Sequence, residues 1–347
     1  MQTYKKILFA TLSIWFLQSS CSSTKIDKDI KTIQAPFDGE RFENIEPFPD
    51  KSLWTVLRWR FTRMFTAPNW PKQHHIKQYR PRHERSHDLV IHVIGHATVL
   101  IQMNGINILT DPNYSHVSSP VAFAGPERIT KPGIRFSDLP KIDLILISHN
   151  HYDHLDLPTL EKIYLRDDPL IFAGLGTKGF LHRNGIDGSK DMDWWESTKS
   201  KGISITFVPA QHWSMRATVA RRSMLWGGFY IKGNQKVYFA GDTGYGKIFK
   251  EIGRKMTPPD WAILPIGAYE PRWFMRSSHM NPADSVQAFL DIKAKRAIAV
   301  HFGTFADLAD EKFHQPKDDL KKALDKQAIS TKSFIVPEFG KPYTALP

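Results

Sequence analysis

The stretch Ile142-Asp143-Leu144-Ile145-Leu146-Ile147-Ser148-His149-Asn150-His151-Tyr152-Asp153-His154 decides how this chain is read. Its first half is an apolar run of strand length; its second half packs three imidazoles and a carboxylate into seven residues. Side chains two apart in an extended segment point to the same side. His149 and His151 are therefore expected to grip one ion, while Asp153 and His154, on the following turn, lean toward a second. Imidazole plus carboxylate suits zinc and its neighbours, and a face left open to water makes such a site catalytic. A polar turn with an accidental histidine cluster is the bland alternative, which H-x-H-x-D-H behind a hydrophobic strand disfavours.

The pattern repeats downstream. His212 follows the apolar run 203–208, Asp242 follows 236–240 inside Gly241-Asp242-Thr243-Gly244, and His301 follows 296–300. Alone, each reads as a strand-end residue with a structural hydrogen bond. Jointly, five histidines and two aspartates at carboxyl ends of apolar strands point to a two-ion centre. Further strands are expected at 89–94, 98–103, 106–110, 170–173, 225–231, 261–265 and 333–336, with Asn104-Gly105 as a hairpin turn. Helices are expected at 158–166, 178–184, 246–255, 282–292 and 318–326, the fourth capped by Asn281 with Pro282 at its first position.

The 347 residues carry a net charge of +12 and are 41% hydrophobic, enough for a large core. That charge suits nucleic acid, anionic lipid or a phosphorylated substrate. Lys5 and Lys6 precede an apolar run, 7–17, too short to span a bilayer, and Leu17-Gln18-Ser19-Ser20-Cys21 follows. This resembles a bacterial lipoprotein leader, 1–20, with Cys21 lipidated and the protein in the cell envelope, on the outer membrane facing the periplasm. An ordinary cleaved leader or an uncleaved anchor is the alternative. Cys21 is the only cysteine, so no intrachain disulfide and no thiolate site is available. Residues 21–50 read as a tether and 51–87 as a basic aromatic arm, in which 51–85 holds nine Lys or Arg against Glu84. That arm either meets an anionic membrane or packs over the main domain, 88–347.

The ligand set H-x-H-x-D-H, His212, Gly241-Asp242-Thr243-Gly244 and His301 resembles the metallo-β-lactamase superfamily. Leu264-Pro265-Ile266-Gly267-Ala268-Tyr269-Glu270-Pro271-Arg272-Trp273-Phe274-Met275, with Gly95-His96-Ala97-Thr98, Leu109-Thr110-Asp111-Pro112 and Val300-His301-Phe302-Gly303-Thr304-Phe305, resembles its N-acyl-phosphatidylethanolamine-hydrolysing phospholipase D branch. The likeness runs from about 88 to 342. It implies an α+β fold, a four-layer αββα sandwich. It implies two zinc ions, one on His149, His151 and His212, the other on Asp153, His154 and His301, with Asp242 bridging; iron or manganese stays open.

The implied chemistry is phosphodiester hydrolysis, in which hydroxide formed between two dications attacks phosphorus in line, releasing N-acylethanolamine and phosphatidic acid. Asp153 or Asp242 would orient the water and carry its proton, and His279 would hydrogen-bond the phosphate or leaving group. Tyr152 lines the substrate groove or simply packs, and His96, between two strands, is expected to be structural. Arg216, Arg221 and Arg222 meet lipid phosphate or solvent, while Trp194, Trp195 and the stretch 213–226 form core or a greasy wall. The expected partners are phospholipid and a membrane surface, with no nucleic acid; the sequence leaves homodimerisation open. Two other readings are a lactonase or other ester hydrolase with the same metals, and a non-catalytic envelope lipoprotein with a structural metal.

Overall fold

The computed structural model describes residue 26 and residues 32–121, 123–216 and 221–344. The leader and Cys21 lie outside the described residues. Two seven-stranded sheets form the centre. The first contains β1 (Val90–Gly95), β2 (Thr98–Met103), β3 (Ile106–Thr110), β4 (Leu144–Ile147), β5 (Leu170–Gly174) and β6 (Ser189–Met192), closed on its other edge by β14 (Pro342–Thr344). The second runs β7 (Ser197–Ser200), β8 (Ile203–Val208), β9 (Gly228–Lys232), β10 (Lys236–Phe239), β11 (Trp261–Pro265), β12 (Arg296–Val300) and β13 (Phe334–Ile335). β3, β4, β5 and β6 are parallel, as are β10 to β13, while β1–β2–β3 and β7–β8–β9–β10 are antiparallel meanders.

Burial explains the arrangement. Every residue of β2, β3, β4 and β11 is buried, as strands sandwiched on both faces require. One core fills the space between the sheets, and a second lies under α2 (Leu157–Asp167) and α3 (Thr177–Arg183). Outside the second sheet lie α4 (Ile248–Lys255), α6 (Pro282–Asp291) and α7 (Gln315–Lys326), with the short α5 (Arg272–Met275) in the loop before α6. The expected αββα sandwich is therefore present. The predicted cap of α6 is there as well: Asn281 accepts from the Asp284 backbone and Asp284 accepts from the Asn281 backbone.

Several expectations are corrected. β6 and β7 were hidden by their composition, Ser-Lys-Asp-Met and Ser-Thr-Lys-Ser, because edge strands need no apolar alternation. Residues 32–50 are no free tether: Ala35 and Phe42 are buried, and the backbone N–H groups of Gln34 and Ala35 donate to Asp193. The basic arm contains α1 (Leu53–Thr66), capped by Ser52 and fixed to the domain through Trp59, whose ring stacks on Phe274 at 4.5 Å. No helix among the described residues is long and apolar enough to cross a membrane.

Candidate metal centre

β4 ends at Ile147, and from there the chain leaves the sheet. The N–H groups of His154 and Leu155 both donate to the His151 carbonyl, closing a tight turn. His149 and His151, two apart just beyond the strand, are neighbours as expected, and the turn that follows starts at His151. His149 Nε2 comes to 2.8 Å from His151 Nδ1, and the turn places His154 beneath them. Arg216 locks this turn by donating to the carbonyls of Asn150 and Leu155, at 3.1 and 2.6 Å.

The other expected residues arrive from the ends of neighbouring strands. His212 Nε2 lies 3.2 Å from His151 Nδ1, making a three-histidine group with His149. Asp242 is delivered by Gly241, whose φ of +61° and 2.6 Å approach of a would-be Cβ to Ser148 leave no room for a side chain. Asp242 Oδ2 sits at the middle of the cluster, 3.1 Å from His301 Nε2, 3.2 Å from His154 Nε2 and 3.9 Å from His212 Nε2. Asp153 Oδ2 lies 3.5 Å from both His154 Nε2 and His301 Nε2. All seven expected ligands thus converge, and His96, Asp111 and His301 hold positive φ values of 54°, 34° and 61°, backbone strain concentrated at one place.

Proton positions follow from the partners. His212 Nδ1 contacts the Ser278 carbonyl at 2.9 Å; a carbonyl only accepts, so Nδ1 carries the proton and Nε2 presents its lone pair. Asp111 Oδ2, 2.7 Å from His154 Nδ1, imposes the same tautomer there. The freed Nε2 of His154 then points at carboxylate oxygens, an arrangement that demands a proton or a metal cation between them. Burial disfavours the imidazolium of His301, yet Asp242 and Asp153 outweigh it and hold this group up at about 9; the same balance raises His154. Burial lowers His149 and His212 far below the usual range and His151 to about 4, so all three rings are neutral at neutral pH and could serve as metal ligands. Burial would raise Asp153 and Asp242, but the neighbouring histidines hold both well below the ordinary carboxylate range.

The donor set fits metal. Among the described residues, buried His151 Nε2, His154 Nε2, Asp242 Oδ1 and both ring nitrogens of His301 have no hydrogen-bond partner, a costly state that bound cations relieve. Two groups with mutually close ligand atoms stand out: His149 with His151 and His212, and Asp153 with His154, His301 and His96.

His96 occupies the β1–β2 turn as expected, and its Nε2 meets Asp153 Oδ2 at 2.9 Å. Burial and then His301 lower it to about 3, so it is a neutral ring that orients that carboxylate. His279 enters from the other side, its Nδ1 3.8 Å from Asp242 Oδ2; burial lowers it to about 3 against the pull of Asp242. Arg272 donates to the His279 carbonyl, fixing this loop. The His279 and Asp153 side chains retain 16% and 15% exposure, against 2% for Asp242 and His301, so these two face the opening.

Other expectations are resolved less favourably. The Tyr152 hydroxyl donates to the Arg216 carbonyl and its ring lies under that guanidinium at 4.1 Å, so it packs rather than faces the metal cluster. Arg221 and Arg222 pair with Asp50, and Arg222 also with Glu43, which removes all three arginines as free phosphate ligands. Trp194 and Trp226 are core, whereas Trp213 sets its ring edge-on to His151 at 4.7 Å and lines the site.

Two positioning residues escaped the sequence reading. Asp111 follows β3 and accepts from the backbone and hydroxyl of Ser148 as well as from His154; a carboxylate at a strand end beside the motif strand was the available signal. Asn44 clamps His212 twice, accepting from its N–H at 3.0 Å and donating to its carbonyl at 2.8 Å. Nothing in the polar segment around Asn44 announces this.

Comparison with known proteins agrees with the geometry. Residues 106–302 match the family model described as beta-lactamase superfamily domain. An N-acyl-phosphatidylethanolamine-hydrolyzing phospholipase D from Caenorhabditis elegans is 38% identical over 265 residues, covering 73% of this chain and 74% of the relative. A mitochondrial enzyme of the same name from Saccharomyces cerevisiae is 36% identical over 246 residues, 69% of this chain and 52% of the relative. Among solved structures, an isothiocyanate hydrolase from Delia radicum gut bacteria superposes with a TM-score of 0.60 at 17% identity, covering 74% of this chain and 98% of that one. A metallo hydrolase from Ignicoccus hospitalis does so with 0.56 at 21% identity, with coverage of 74% and 98%. Fold, ligand constellation and sequence similarity converge, and the chain belongs to the metallo-β-lactamase superfamily, among the relatives of its N-acyl-phosphatidylethanolamine-hydrolysing phospholipases D, as a metal-dependent hydrolase.

Proposed function

We propose that the protein is a phosphodiesterase of phospholipase D type that releases N-acylethanolamine and phosphatidic acid from N-acyl-phosphatidylethanolamine. The observation that carries this reading is the 38% identity over 265 residues to the nematode enzyme of that name. Two zinc ions would be held by His149, His151 and His212, and by Asp153, His154 and His301, with Asp242 between them. Bound there, they would supply an activated water near neutral pH and neutralise charge on phosphoryl oxygens.

The chain's own groups complete the chemistry. Asp153, anionic and facing the opening, accepts the proton of the attacking water, while His96 holds its carboxylate in place. His279, neutral and on the same opening, donates a hydrogen bond to the phosphodiester. Trp213 supports the apolar side of the groove. Acylation of Cys21 would put the enzyme on an envelope membrane, where this substrate resides; the leader sequence supports that placement.

The test is mass spectrometry of N-acyl-phosphatidylethanolamine vesicles incubated with purified protein, with and without chelator. Chelator-sensitive appearance of both products is expected. Loss of a lactone or simple ester with the phospholipid untouched would transfer the activity to another ester class. No turnover of either by metal-replete protein would leave only a structural metal.

A further inference from the structure

Of the eleven large apolar side chains exposed among the described residues, six lie on α1: Leu53, Trp54, Leu57, Phe61, Met64 and Phe65. A seventh, Trp273, stands beside the helix under Arg58, whose guanidinium lies 5.4 Å from its ring centroid. At about 100° per residue, the six fall within an arc of about 120°, with Arg58 just beyond one edge and Arg60 just beyond the other. The opposite side is the one fixed to the protein. Trp59 stacks on Phe274 and donates to Asp310, and Arg63 binds Asp310 and the Asp307 carbonyl. α1 buries none of its residues fully, so its apolar arc is held outward rather than left over from poor packing.

The charge around this arc identifies what covers it. Three arginines and no acid lie within α1, and residues 51–85 carry nine Lys or Arg against Glu84. A second copy of the helix would bring arginine-edged faces together without a carboxylate between them. An anionic bilayer receives both parts, apolar arc among the acyl chains and arginines at the phosphates. We propose that α1 is an interfacial helix lying in the headgroup plane of an anionic bilayer, with Leu53 to Phe65 inserted. The Trp59–Phe274 stack ties it to the loop that carries His279, so docking also sets the orientation of the metal groove.

A fluorophore placed on the arc tests this independently of which bond the centre cleaves. Cys21→Ser in the full chain removes the only native thiol and any acyl chain, and Phe61→Cys or Thr66→Cys then takes an environment-sensitive label. Both positions are exposed, and Thr66 lies on the far side of the helix. Vesicles of phosphatidylcholine with phosphatidylglycerol are expected to blue-shift and brighten the label at 61 several-fold, and not the label at 66. Pure phosphatidylcholine is expected to act weakly, and adding Arg58→Ala and Arg60→Ala to cut binding to anionic vesicles at least tenfold. An unmoved label at 61 would overturn the proposal, as would a change that follows protein concentration without lipid, which would assign the arc to a second copy.

Discussion

The buried carboxylate of Asp111 lies 2.7 Å from Nδ1 of His154, and neither side chain has any exposure to solvent. Because Asp111 also accepts twice from Ser148, the residue just before His149, it sets both ends of the motif turn. Asp111→Asn keeps the shape and loses the charge that holds the His154 proton on Nδ1. Metal affinity is expected to fall about 10–100-fold, read as metal retained after dialysis against a weak competitor. Unchanged retention would reduce Asp111 to a packing role.

Asp242→Asn removes the one carboxylate that approaches His154, His212, His279 and His301 together. Turnover of a soluble phosphodiester is expected to drop on the order of 10²–10³-fold or more, with metal content by elemental analysis falling in parallel. Full occupancy with full activity would remove Asp242 from the centre.

Stability of the metal-free protein should depend on pH with a definite sign. Burial opposes the charged form of His301, but Asp242 and Asp153 raise it to about 9, and His154 is raised likewise. A histidine whose folded pKa exceeds its unfolded value contributes stability that is complete below the unfolded pKa and lost as pH climbs through the folded one. Chelated protein is therefore expected to show a falling Tm between pH 6.5 and 9. Metal-loaded protein, with a cation in the proton's place, should hold its Tm across that window. Scanning calorimetry of both forms distinguishes them; parallel curves would contradict the assignment.

Lys51 sits 3.9 Å above the Phe274 ring, and burial, with Arg221 adding to it, lowers its ammonium to about 8. Its charge is among the influences that keep His279 neutral. As pH rises through 8 this cation is lost, so KM for an anionic phospholipid is expected to rise several-fold while kcat changes little. Lys51→Gln should show the higher KM at every pH. A KM profile still present in that variant would locate the titrating group elsewhere.

Asn44→Ala deletes both hydrogen bonds to the His212 backbone and leaves two polar groups to be rehydrated. A loss of about 1–3 kcal/mol is expected, measured by urea unfolding, together with weaker metal retention. An unperturbed centre would make the clamp incidental.

Much of the residue cluster was legible because several of its members come within four residues of the end of a buried apolar strand, so one dimension of sequence already encodes which end of the sheet they share. His149, His212, Asp242 and His301 are all of this kind. What escaped depends on neighbours in space. Asp111 matters because β3 pairs with β4, and Asn44 because a polar segment folds back over 160 residues later in the chain. α1 escaped for a different reason: only Val56 and Trp59 of its apolar residues pack on a core cluster while six others face outward, so a search for buried faces passes over it.

The Asn44 clamp also sets a reach. With Ile26 packed against the core and residues 32–50 lying along the domain, the chain between Cys21 and Ile26 is five residues, a leash of roughly 17–18 Å at full stretch. An acyl group at Cys21 would then hold the domain within about 18 Å of the lipid headgroups. Such an enzyme would work on the membrane that holds it, and would not reach across the envelope to another.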